Sequence, residues 1–152
     1  MSENTSKEIR STLTPEGFIE LSIATTKKPV PLEHEVLVKV EASPINPSDL
    51  GLLISFAADL DSLNTRGSGD NTLTSMRVHP ALMGTMKSRL NQAMPVGNEG
   101  AGVIEASGSN STTLIGKLVG VAGGAMYSQF RCVPAHNCLI MNDDTLATEA
   151  AS

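Results

Sequence analysis

The sequence predicts a mainly β domain with a few short helices, its strands forming a barrel or a partly closed sheet. Three observations carry this expectation. Apolar and polar residues alternate over the early part of the chain. Short apolar runs separated by Gly and Asn recur after Val96. The 152 residues, 40% hydrophobic and 18% charged, make one ordinary domain with a real core to bury. With three Phe, one Tyr and no Trp, that core must be built from Val, Ile, Leu, Met and Ala.

The first strands are read from Ile19, Leu21 and Ile23 set against Glu20 and Ser22, and from Val36, Val38 and Val40 alternating with Leu37, Lys39 and Glu41. Between them, Lys28-Pro29-Val30-Pro31-Leu32 reads as a turn, since proline has no N–H to give to a ladder. Asp49 to Ser55 reads as a short helix entered through Pro47 and Ser48. Residues 57–75 are rich in Asp, Ser, Asn, Thr and Gly, most of all in Arg66-Gly67-Ser68-Gly69-Asp70-Asn71, so a mobile loop is expected there. A helix is expected after Pro80, because Leu82, Met86, Leu90 and Met94 recur at four-residue spacing and Met83 widens the stripe. Such a Met-rich face fits packing on the core, or else a pliable binding surface. Strand character returns in 100–105, 117–122, 127–133 and 138–141, and Thr145 reads as the cap of a last helix start. No internal repeat is visible.

A net charge of −5 and a pI near 5.1 argue against a polyanionic partner, which requires clustered Lys and Arg. Lys27-Lys28 is the only adjacent basic pair. Met1-Ser2-Glu3-Asn4-Thr5-Ser6-Lys7 has no apolar stretch of the kind a secretory signal needs, and no run is long enough to span a bilayer. The expectation is a cytoplasmic protein with neither nucleic acid nor membrane as partner. Its two cysteines, Cys132 and Cys138, are then reduced.

Two segments carry a resemblance. Ala42-Ser43-Pro44-Ile45-Asn46-Pro47-Ser48-Asp49-Leu50 and Gly97-Asn98-Glu99-Gly100-Ala101-Gly102 resemble two fingerprints of the medium-chain dehydrogenase/reductase superfamily. Zinc-dependent members carry a metal-binding Cys where Asn46 stands and a metal-binding His where Asn98 stands. A neutral carboxamide replaces neither ligand well. The sequence is therefore similar to the zinc-independent branch, the quinone oxidoreductases and enoyl-thioester reductases. Glu35 to Ala42, Gly116 to Val121, Gly123 to Ser128 and Asn142 to Ser152 resemble further segments of the family in the family's order.

The resemblance implies a GroES-like, partly open β-barrel over residues 1–152, with residues 54–95 an inserted loop plus helix. It implies a substrate-binding domain that reduces quinones or α,β-unsaturated carbonyls, with NADPH as cofactor and no zinc. It also implies homo-oligomerisation. Family members continue into a nucleotide-binding domain, which is absent here: no Gly-x-Gly-x-x-Gly is present to place a phosphate at a helix N-terminus. Enoyl-thioester reductases place a proton-donating Tyr in the inserted region, and none occurs between residues 54 and 95.

By the resemblance, Asn46 is a catalytic group facing the nicotinamide and the substrate carbonyl, with Pro47 and Leu50 beside it in cofactor binding. Asn98 and Glu99 then line the substrate pocket. The carboxamide of Asn46 offers two donors and an acceptor, though a loop Asn fixing the Pro47 turn would look the same. Ser48, Asp49 and Glu99 stand where relatives tune a metal shell; without metal they read as structural, with Ser48 or Asp49 capping the short helix. Tyr127 is the sole phenol and the second catalytic candidate, as a proton donor; the alternative is a packed strand residue. Cys132, His136 and Cys138 form a Cys-x3-His-x-Cys cluster whose spacing matches no common zinc module, so a core Cys pair is expected. His34 and His79 stand beside turns and fit surface or capping roles. Residues 57–75 are expected to act as a lid held by the Leu82-Met86-Leu90 face. A rival reading makes the chain a non-catalytic binding or scaffold module with residues 54–95 as a partner surface.

Overall fold

The computed structural model describes residues 4–55, 58–142 and 144–151. It is mainly β with a few short helices, in two antiparallel sheets. The chain divides into two compact units, one of Met1–Glu8, Thr25–Ile45 and Gly97–Ser152, the other of Ile9–Ala24 and Asn46–Val96.

The first unit is built on a sheet of order β10-β8-β7-β3-β9, formed by β3 (Glu35–Ala42), β7 (Glu99–Ser107), β8 (Leu118–Ala122), β9 (Phe130–Pro134) and β10 (Cys138–Ile140). The middle of β3 is buried on both faces: Val36, Leu37 and Val38 all lose their solvent exposure. Strand β3 lies between β7 and β9, and Leu37 is paired with Ala106 on one side and Cys132 on the other. Val36, Val38, Ile104, Val119, Val121, Met126 and Val133 form the core, each such side chain contributing about 1.5–3 kcal/mol on burial. Where the β3–β7 register shifts between Val40 and Ala42, Gly102 presses on the Lys39 carbonyl so closely that no β-carbon would fit. The short helix α2 (Ala147–Ala150) packs on β7, β8 and β3. Its N-cap is Leu146, whose N–H donates to Glu149 Oε2 at 2.9 Å, one residue beyond the expected Thr145.

A sheet of order β4-β5-β2-β1-β6 is formed by β1 (Thr5–Leu13), β2 (Phe18–Lys27), β4 (Ala58–Arg66), β5 (Leu73–Val78) and β6 (Met94–Pro95). The core of the second unit is Leu13, Ile19, Val78 and Met86, with Met83 and Leu90 packed against it. Helix α1 (Pro47–Leu53) starts two residues before the expected Asp49 and ends where Ser55 turns left-handed, at φ 62°. Each sheet has two open edges, so neither closes into a ring.

Two expectations for residues 54–95 are corrected. The inserted loop is a hairpin: β4 and β5 flank a single 3₁₀ turn, Gly69–Asn71, and β5 pairs with β2 from Phe18↔Arg77 to Ser22↔Leu73. Within the segment expected to be a mobile lid, Ala58–Arg66 and the start of Leu73–Val78 are strand and no described residue is fully buried, while the core residues Met76 and Val78 lie just beyond it; residue 57 lies outside the described residues. The alternation was hidden because β4 is an edge strand exposed on both faces, where polar residues are tolerated at every position. The helix after Pro80 is a 3₁₀ helix, Pro80–Arg89, not an α-helix. Its three-residue period cannot hold a four-residue stripe on one face. Accordingly Met86 is buried, Leu82 is exposed, Leu90 falls just past the helix, and Met94 belongs to β6.

Candidate functional site

Asn46 is the N-cap of α1, with extended backbone at φ −91° and ψ 157°. Its N–H donates to Asp49 Oδ2 at 2.8 Å, and the Asp49 N–H donates back to the Asn46 carbonyl at 2.9 Å. Asp49 is 1% exposed, so its carboxylate is committed to this cap. Of the two capping candidates, Asp49 reaches the N-cap backbone, and Ser48 is an exposed residue of the first turn. Asn46 is half-buried, and Pro47 and Leu50 are exposed beside it on α1. The carboxamide and the two apolar side chains thus sit together at one helix start.

Asn98 belongs to the other unit, in a turn built by two glycine-dependent segments. Gly97 has φ +93°, and the Tyr127 ring lies against it. Gly124 and Ala125 both take left-handed backbone, at φ 73° and 60°, so that the Gly124 N–H donates to the Asn98 carbonyl at 3.1 Å and the Met126 N–H to the Gly97 carbonyl at 3.0 Å. The Tyr127 hydroxyl donates to the Pro44 carbonyl at 2.8 Å, and the Ser43 hydroxyl to the Met126 carbonyl at 2.9 Å. Three segments, Ser43–Pro44, Gly97–Asn98 and Gly124–Tyr127, are therefore fastened to one another. The single phenolic proton is held by Pro44, which makes Tyr127 a clamp. It lies in a turn before β9, not in the strand expected over 127–133.

Glu99 opens β7 opposite Ala122 and lines a cleft of about 270 Å³. The rest of that cleft is largely apolar, with Val121, Leu139, Met141 and Ala150 on its walls and Asn137 as a further polar group. Its volume is just under the roughly 300–1,000 Å³ usual for small-molecule sites.

Both cysteines are partly buried, and Cys138 packs against the first unit's core. Burial pushes the Cys132 thiol up to about 11, with the Glu35 carboxylate adding to the shift and Arg131 opposing it; burial also raises Cys138. Both stay protonated at neutral pH, where a thiol is a poor nucleophile and metal ligand. Among the described residues no three His, Cys, Asp or Glu are grouped to hold a metal ion. His136 sits in the 3₁₀ turn Ala135–Asn137. The His34 carbonyl accepts from the Ala135 N–H at 3.0 Å, and His79 Nδ1 accepts from the Ala81 N–H at 3.3 Å, capping the long 3₁₀ helix. Sequence reasoning missed Ser11 and Arg89, which meet at the far end of α1; no local pattern marks either. Among the described residues no helix is long and apolar enough to cross a membrane.

No protein-family model and no curated protein matches the sequence. Solved structures do match its fold. A protein assigned as an NADPH:quinone reductase from Mesorhizobium loti aligns over 99% of this chain and 40% of its own, at 22% identity and a TM-score of 0.63. The human synaptic vesicle membrane protein VAT-1 homolog-like protein aligns over 97% and 38%, at 18% identity and TM-score 0.62. A mycobacterial protein solved with NADPH aligns over 95% and 36%, at 21% identity and TM-score 0.62. The chain thus has the fold of about two-fifths of a quinone oxidoreductase-type chain.

Proposed function

We propose that this chain is the GroES-like substrate-binding domain, residues 1–152, of a zinc-independent oxidoreductase that reduces quinones or α,β-unsaturated carbonyls by hydride transfer from NADPH. The observation that supports it most is the pair of carboxamides, Asn46 and Asn98, at the two positions the family resemblance gives to metal ligands, in a fold shared over nearly the whole chain.

In this reading the Asn46 carboxamide orients the acceptor and stabilises the negative charge that develops on its oxygen, a task for a preorganised N–H donor. Bound NADPH supplies the hydride. Pro47 and Leu50, exposed on α1, offer apolar contact to the nicotinamide ring, while Asn98 and Glu99 line the acceptor pocket. The pyrophosphate needs a glycine-rich strand-turn-helix, which this sequence lacks, so that part of the cofactor is assigned to a separate nucleotide-binding domain. Tyr127 is given a positioning role in place of proton donation, because Pro44 holds its proton. Rate enhancement would come from proximity and orientation. The whole protein is read as a cytoplasmic homo-oligomer.

Titration of the ¹⁵N-labelled chain with duroquinone tests the reading. The side-chain amides of Asn46 or Asn98 should shift in a saturable way, and Asn46→Ala should weaken binding at least several-fold. Elemental analysis after chelator dialysis should find no stoichiometric zinc. Retained zinc, or a titration that leaves both amides unmoved, overturns the proposal.

A second reading, a binding module using residues 54–95, is favoured by Leu60 and Leu63, both exposed on the edge strand β4. It predicts no response to duroquinone at all.

A further inference from the structure

Helix α1 is too short to stand alone. Nucleating a helical turn fixes several residues for one hydrogen bond, so a seven-residue helix with Gly51 inside it depends on its surroundings. Its start is held by the Asp49 cap. Its end has no basic residue in the last turn, and the Leu50 carbonyl is already shared by the N–H groups of Ile54 and Ser55.

The carbonyls that follow find partners far away in sequence. The Leu52 carbonyl accepts from Arg89 Nη2 at 2.9 Å, and the Leu53 carbonyl accepts from the Ser11 hydroxyl at 3.0 Å. The same Arg89 Nη2 donates to Ser11 Oγ at 3.1 Å, closing the cluster. Ser11 is fully buried. Arg89 Nε is also buried and meets no acceptor, and among the described residues no carboxylate pairs with the guanidinium. Burial lowers the Arg89 pKa. A cation placed at such a cost is stabilised here by the negative, carbonyl end of a helix.

We propose that Arg89, acting with Ser11, is a positioning residue that holds the C-terminal end of α1 and so orients the Asn46 carboxamide at the other end. A rigid rod clamped at both ends keeps its cap in one place. Released at Leu52 and Leu53, α1 loses its last turn first and Asn46 loses its fixed frame. The functional consequence rests on the proposed role of Asn46; the structural coupling does not.

The test uses the chain as it is, with Arg89→Met, Arg89→Lys and Ser11→Ala, read by amide hydrogen exchange and by the ¹⁵N resonance of the Asn46 carboxamide. Arg89→Met should speed exchange at Leu50, Leu53 and Ile54 by about tenfold and shift the Asn46 carboxamide, leaving the β7 amides unchanged. Arg89→Lys should restore part of the protection, because an ammonium can still donate toward the Leu52 carbonyl but sits on a side chain one atom shorter than the arm that ends in Nη2. Ser11→Ala should raise exchange at Ile54 and shift Asn46 less. Should Arg89→Met fail to fold, the other two variants carry the same comparison. Unchanged α1 exchange, or an equal rise at every amide of both sheets, overturns the proposal. Exchange that responds as expected while duroquinone moves no Asn46 signal in the unsubstituted chain leaves this coupling standing and removes the quinone reading instead.

Discussion

The ring of Tyr127 occupies the space in which a side chain at Gly97 would begin: a β-carbon on Gly97 would stand 2.5 Å from Tyr127 Cδ1 and 2.6 Å from its backbone nitrogen. Since φ is also +93° there, position 97 is closed to any residue but glycine on two independent grounds.

Gly97→Ala should therefore lower stability by more than about 2 kcal/mol, combining left-handed strain with a clash against backbone. Tyr127→Phe keeps the ring and loses only the bond to the Pro44 carbonyl, leaving a half-buried acceptor, and should cost about 1 kcal/mol. Urea midpoints at constant slope check both; equal costs would mean that the ring contact does not discriminate.

The hairpin of β4 and β5 predicts opposite outcomes a few residues apart. Met76 is 1% exposed on β5, so Met76→Ala should cost about 2–5 kcal/mol. Leu63, 55% exposed on the edge strand, should change stability by less than about 0.5 kcal/mol on truncation. Similar values at both sites, measured by urea unfolding, would show that residues 58–78 do not form this sheet.

The raised thiol of Cys132 has a defined pH signature. An unfolded thiol deprotonates near its ordinary value of 9.0, while the folded one holds its proton to about 11. In that window the unfolded chain binds fewer protons, so this group's contribution to stability is complete below pH 9 and is lost as pH rises toward 11. Cys132→Ser should flatten the fall in urea midpoint over that range, and wild-type Cys132 should resist iodoacetamide until the pH approaches 11. Rapid alkylation at neutral pH, with the fold intact, would contradict the buried thiol.

The outer edge of β10 carries Leu139 and Ile140, exposed at 68% and 51%, next to the open main-chain groups of an edge strand. Such an edge favours pairing with another copy. Light scattering should find a dimer or larger species, and Ile140→Lys should shift it toward monomer. A monomer at high concentration would remove the expectation.

Periodicity exposed β2 and β3 in the first half of the chain. Ile19 marks β2 as its buried residue, and the apolar run Val36-Leu37-Val38 marks β3, which is buried on both faces. It failed at β4, whose exposure on both faces leaves no alternation to find, and after Pro80, where an apolar spacing of four suggested an α-helix but the chain forms a 3₁₀ helix that spreads those residues apart. The carboxamides at 46 and 98, and with them the resemblance, lie in covalent identity and needed no coordinates.

What each polar group does was a different matter. The Tyr127 hydroxyl meets Pro44 across 83 residues, and Arg89 reaches Ser11 across 78 and Leu52 across 37. Hydrogen bonds between segments so far apart leave no local spacing, because each partner is chosen by how the sheets bring distant turns together. Hence strands such as β2, β3, β7 and β8 and the two asparagines could be read from the chain, whereas the clamp at Tyr127 and the anchor at Arg89 exist only once it has folded.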